Sequence, residues 1–142
     1  MANSAGQVTL LPPLTITGAL TGWVTDQFKF NAAFPKVLTV QANFVYGSGG
    51  TTVKAWIQTS VDDGASWMDV ICFALTTASG KRVAQVNNFV AITGAAVVTP
   101  TDATLADNTI LNGVLGNRMR VKITSTGTYA GNTKLDLLAN LR

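Results

Sequence analysis

Residues 53–75 read VKAWIQTS-VDDGAS-WMDVICFAL, and the spacing within them decides the fold. In the first arm Val53, Ala55, Ile57 and Thr59 share one face, while Lys54, Trp56, Gln58 and Ser60 share the other. That period of two belongs to a β-strand, whose successive side chains point to opposite faces. Asp63-Gly64 ends the arm with residues that accept the positive φ of a tight turn. The chain then returns from Trp67 through the apolar run Val70-Ile71-Cys72-Phe73. The stretch predicts one β-hairpin.

The same signal recurs on either side. Over residues 36–46, Leu38, Val40, Ala42, Phe44 and Tyr46 alternate with Val37, Thr39, Gln41, Asn43 and Val45. Over 118–124, Met119, Val121 and Ile123 face inward and Arg118, Arg120 and Lys122 face outward. Residues 14–16, 23–30, 82–92 and 134–141 are further strand segments. They are punctuated by turn residues at Gly47-Ser48-Gly49-Gly50, Ala78-Ser79-Gly80 and Thr126-Gly127-Thr128. Residues 95–117 lack this order. Either Thr101 or Asp102 caps one short helix reaching Leu111, or the segment is irregular.

Strands so spaced predict an all-β chain: an antiparallel β-sandwich of jelly-roll or immunoglobulin-like winding, with at most one short helix. The paired Pro12-Pro13 interrupt regular pairing. Residues 1–13 are therefore expected to form an extended N-terminal arm, and residues 14–142 a single domain. In such an arm Leu10 and Leu11 would lie along a neighbouring subunit by strand addition.

Composition narrows the chemistry. The chain of 142 residues has no His, no Glu and one Cys, and its seven acidic residues are all Asp. Ser-His-Asp and Cys-His nucleophile sites cannot be built from it, nor a zinc site of His and Cys. Neither GxGxxG nor GxxxxGK[ST] occurs. A non-enzymatic protein without catalytic residues or cofactors is expected. Net charge of +3 is too small to imply specific nucleic-acid binding. No apolar run approaches the ~20 residues of a membrane helix, and residues 1–7 carry no signal-peptide pattern. A lone Cys72 implies no internal disulfide and suits a core position. A soluble protein made in the cytoplasm is the expectation.

Charged residues make up 12% of the chain, against about 25% in ordinary soluble domains. Too few charges to cover a surface point to burial in an assembly, because interface cores are depleted of charge. Three groupings of side chains bear on what is bound. Asp62, Asp63 and Asp69 are the candidate cation ligands, but Ca²⁺ takes six to eight oxygens and turn-forming Asp is the simpler reading, so no metal is expected. Trp23, Trp56, Trp67, Tyr46 and Tyr129 would make a sugar platform if they met on one face, although strand aromatics more often serve core or interface. The row Arg118, Arg120 and Lys122 is a solvated or edge-guarding face, or else pairs in trans with an acidic surface. Trp56, opposite the apolar face of its strand, joins that row, Leu10 and Leu11 as a candidate interface residue.

The turn also carries a resemblance. Ser60-Val-Asp62-Asp-Gly64-Ala-Ser66-Trp67 is similar to the Asp box, S-x-D-x-G-x-T-W, of sialidase-like propellers, with Ser66 in place of Thr. In that family the box is a structural turn remote from the active site. The resemblance implies a hairpin staple of Ser60, Asp62, Gly64 and Trp67, not sialidase activity; one box does not make a propeller. With a buried Trp67 ring covering the turn, replacement by Ala would cost ~3–5 kcal/mol.

Over roughly residues 37–138, the order of alternating strand, Gln58-Thr-Ser60-x-Asp62-x-Gly64-x-x-Trp67-x-Asp69-Val70, aromatic strand around Phe73, Arg118-x-Arg120-Val121 and Thr126-Gly-Thr128 resembles small β-sandwich virion proteins of tailed bacteriophages. The resemblance implies a capsid decoration or cement protein. It would be assembled in the host bacterial cytoplasm, reside on the capsid surface and bind the major capsid protein or other virion subunits. A homo-oligomer is implied, and a trimer suits icosahedral threefold positions. A tail or connector structural protein and a carbohydrate-binding β-sandwich module are the alternatives.

Overall fold

A computed structural model describes residues 6–30, 35–92 and 97–142. Every element among them is a strand: β1 (Gln7–Thr15), β2 (Trp23–Val24), β3 (Phe28–Lys29), β4 (Val37–Val45), β5 (Ser48–Gly49), β6 (Thr52–Ser60), β7 (Met68–Leu75), β8 (Gly80–Asn87), β9 (Arg118–Thr126), β10 (Tyr129–Ala130) and β11 (Lys134–Leu141). One antiparallel sheet runs β1-β11-β4-β8. The other runs β2-β9-β6-β7, with β3 also paired to β9. The pair β10-β5 stands apart from both.

Only the β6–β7 hairpin and the interrupted β2/β3 strand keep consecutive elements in one sheet; every other connection between the two large sheets crosses over. That order is the jelly-roll winding, in which two Greek keys wrap around one core. The jelly roll is thus the one of the two expected windings that the chain adopts.

The alternating segments do what a period of two dictates. In β4 the buried residues are Leu38, Val40, Ala42 and Phe44; in β9 they are Met119, Val121, Ile123 and Ser125. Leu135, Leu137 and Ala139 of β11 join them, and Tyr129 packs edge-on against Phe44. The predicted hairpin forms in register, with Val53 opposite Leu75 and Ala55 opposite Phe73. Its β6 strand departs from alternation: from Ala55 to Ser60 every residue is buried. Cys72 lies inside, and burial pushes its thiol up to about 11.

The expected N-terminal arm is, from Gln7 onward, a strand of the first sheet. β1 pairs with β11 from Gln7–Asn140 to Thr15–Lys134. Leu10 and Leu11 are 1% and 2% exposed in the core, so they are not available to a neighbour. The prolines do not block this. β1 is an edge strand, Pro12 and Pro13 are exposed, and the register shifts twice, before Leu11 and again before Leu14. Edges and irregular register are where proline is tolerated in a sheet. Residues 1–5 lie outside the described residues.

The segment following residue 97 has no helix. Residues 101–111 run irregularly along the free edge of β7. There the Cys72 amide donates to Thr109 O at 3.0 Å, Leu111 N donates to Val70 O at 2.9 Å, and Ile110 bridges Ile71. Gly116 carries this segment into β9 so close to the end of β6 that a Cβ there would collide with the Ser60 carbonyl.

Because Leu10 sits in the core, Leu10→Ala is expected to cost about 2–5 kcal/mol in urea unfolding. A cost below ~0.5 kcal/mol would restore the free arm.

Candidate functional site

The Asp box closes as a network of short bonds. Ser60 Oγ donates to Asp62 Oδ1 at 2.7 Å and accepts the Gly64 amide at 2.8 Å. Ser66 donates its amide to Asp62 Oδ1 at 2.8 Å and its hydroxyl to Oδ2 at 2.6 Å. Asp63 and Gly64 supply the positive φ, 59° and 91°. The Ser66 hydroxyl and amide, followed by the Ser60 hydroxyl, hold the Asp62 carboxyl down at about 2. Trp67 is half-buried rather than buried, and its ring stacks on the Arg120 guanidinium 4.3 Å from the centroid. Its replacement therefore removes a partly exposed stacking contact, not a core ring.

Arg120 opens onto a dense polar cluster. Its Nε donates to Gln58 Oε1 at 2.8 Å. Gln58 Nε2 donates to both Asp69 Oδ1, at 2.8 Å, and Asp102 Oδ1, at 2.7 Å. Asp69 is wholly buried. Its Oδ1 also accepts the Ala103 amide, and its Oδ2 accepts the Thr101 hydroxyl and the amides of Thr104 and Leu105, all at 3.0–3.1 Å. Five donors on one carboxylate satisfy a buried charge without a cation in direct contact. The cost of burying Asp69 is offset by fixing residues 101–105.

Those residues in turn cover the outer face of β6. Trp56 is 6% exposed, and its Nε1 donates to Leu105 O at 3.2 Å. The candidate interface residue thus meets the chain's own loop. The buried outer face of β6 has the same explanation.

The basic row faces away from the core as expected, but it is neither solvated nor at an edge. β9 is a central strand, and all three side chains are partly buried. Arg118 Nε pairs with Asp63 at 2.9 Å, and Lys122 Nζ pairs with Asp102 at 2.9 Å. Arg120 lies 4.0 Å from Asp102. Hydrogen bonds from Gln58 and Lys122 hold the Asp102 carboxyl below its ordinary range, and the bond from Arg118 does the same for Asp63. The acidic partners of this row lie in cis.

The remaining groupings do not converge. Asp62, Asp63 and Asp69 serve three separate networks, and among the described residues no group of three His, Cys, Asp or Glu is placed to hold a metal ion. The five aromatics form no common platform. Trp56 is under the loop, Tyr129 is in the core, Trp67 is on Arg120, and Tyr46 packs edge-on against Tyr129. Of these five, only Trp23 is an exposed ring, at 37%.

The outer face of the β1-β11-β4-β8 sheet lies open, and single-strand patterns did not mark it as a site. Register places Leu138, Gln41 and Val83 in one row and Asn140, Thr39 and Gln85 in the next. Val83 is 64% exposed, with Leu138 and Val45 also at the surface. A shallow hollow of about 250 Å³ lies among Gln7, Thr39, Gln41, Val83, Leu138 and Asn140. Its signal in the sequence is the run of Thr, Gln and Asn at the outward positions of β4. No protein family, curated protein or solved structure matches the chain.

Asp69→Asn would turn an NH₂ toward backbone donors. It is expected to lower stability by about 3 kcal/mol and to release the Leu105 and Leu111 amides to fast hydrogen exchange. Unchanged exchange would contradict the clamp. Trp67→Ala is expected to cost about 1–2 kcal/mol, and a double-mutant cycle with Arg120→Ala should return a coupling of about 0.5–2 kcal/mol. The depressed Asp62 carboxyl supports the turn at and above its ordinary value of 3.8, and this support is lost as pH falls toward about 2. A carboxyl NMR titration should find its midpoint near 2; a midpoint near 3.8 would show the box to be open.

Proposed function

We propose that this chain is a non-enzymatic structural protein of a bacteriophage virion, a decoration or cement protein that binds the capsid shell. The observation that carries the reading is the asymmetry of the two sheets. One outer face is sealed by the chain's own residues 101–111, and its cations are neutralised in cis. The other lies open, with a centre of Thr, Gln, Asn, Val and Leu. A sheet face whose centre carries no charge shares the charge depletion of an interface core. Weak contacts of this kind add up when many copies sit on a symmetric lattice.

The polar chemistry points the same way. The most enclosed carboxylate, Asp69, has its lone pairs committed to the loop, which leaves none for proton transfer. Jelly rolls also serve as lectin domains. The scattered aromatics give a sugar no stacking surface, and that favours adhesion to protein. A tail or connector position would use the same surface in the same way. Attachment by the N-terminal segment is not part of the proposal, since β1 is needed by the fold.

Purified protein mixed with undecorated capsid shells and imaged by electron microscopy is expected to add ordered density at symmetry-related positions. Bare shells at saturating protein would contradict the proposal.

A further inference from the structure

The ten cations of the chain divide by sheet. Lys29, Lys54, Arg118, Arg120 and Lys122 meet Asp63, Asp102 or Asp107 on the side of the β9 sheet. Lys36, Lys81, Arg82, Lys134 and Arg142 make no ion pair among the described residues, and Lys36 only rests over the Phe89 ring. All five belong to the open sheet or its margins.

Their placement is ordered. Lys81 stands beside Asn43 on β8, and Lys134 stands opposite Val45 on β11, so both mark one end of the face. Arg82, beside Lys81 on the edge strand β8, is exposed but stands opposite the buried Ala42, so it lines the hollow toward Cys72 and Ile110 and is not part of the outer face. Lys36 and Arg142 mark the other end, joined by the bond from Lys36 N to Arg142 O. Between the ends lie Thr39, Gln41, Val83, Gln85, Leu138 and Asn140, with no charge. The outward row through Lys81 holds one carboxylate, Asp136, which accepts Asn43 Nδ2 at 3.0 Å. The face therefore has an uncharged centre and a cationic rim, the arrangement in which rim charges steer a partner and the centre excludes water.

We infer that the outer face of the β1-β11-β4-β8 sheet docks on an acidic protein surface. A second copy of the same face is disfavoured as occupant, because the pairing would set cation against cation. The inference deepens the virion reading, on which it rests, by naming the docking face and the charge of what it meets.

Two arms test it, both on the full chain. In the first, polyaspartate is titrated into ¹⁵N-labelled protein at low salt as a stand-in for an acidic surface. Amide shifts are expected at Thr39, Gln41, Val83 and Leu138. The double variant Lys81→Glu, Lys134→Glu should weaken binding about tenfold or more at an unchanged melting temperature. Shifts centred on Arg118–Lys122, no shifts, or an unaffected double variant would overturn the inference. In the second arm, wild type and double variant are compared on undecorated shells. Shell binding lost only by the variant supports the inference, and equal binding of both counts against it. Wild type that ignores shells defeats the virion reading, while the polyaspartate map still judges the face.

Discussion

The carboxylate of Asp69 is the constraint on which the arrangement of this molecule turns. It is buried without a cation against it, so it needs donors, and the donors come from residues 101–105. Once that loop is held, Trp56 and Gln58 are covered, β7 has a neighbour along its edge, and Asp102 stands within reach of Arg120 and Lys122. A single buried charge thereby organises the outer side of one sheet. The arrangement also explains why a chain with few charges keeps half of its cations in internal pairs: they close a surface that would otherwise expose the outer side of β6 and β9.

The opposite sheet has no such cover. Its outward residues at the centre are uncharged polar and aliphatic side chains, and the core lies beneath them. Edge strand β8 carries Lys81 and Arg82, and such charges discourage indiscriminate strand pairing. In the proposed role, association would use the face and avoid the edge. The proposed adhesive role follows from this division between a sealed side and an open one.

The parts of the fold legible in the sequence were those with local causes. β4 and β9 show clean alternation because one side of each meets the core and the other is polar. The hairpin and its Asp box were legible because Ser60, Asp62, Gly64 and Ser66 bond within a few residues of one another. The loop cover was not legible. Its anchor is 32 residues from Thr101, and residues 101–111 have no period to betray where they lie. For the same reason the outward direction of Arg118, Arg120 and Lys122 could be read but their partners could not, since Asp63 is 55 residues from Arg118. Leu10 and Leu11 were misjudged because Pro12-Pro13 read as a break, whereas an edge strand with shifted register accommodates them. The open face needs the register of three strands at once, which no single segment displays.

Hydroxyl-radical footprinting of the protein free and bound to capsid shells tests the central claim most directly, because it reads both sides of the molecule together. The account predicts that Val45, Val83 and Leu138 lose labelling on binding, while Val61, exposed at the turn of the β6–β7 hairpin in the other sheet, keeps its own. Protection of Val61 with Val83 and Leu138 still fully labelled would contradict it.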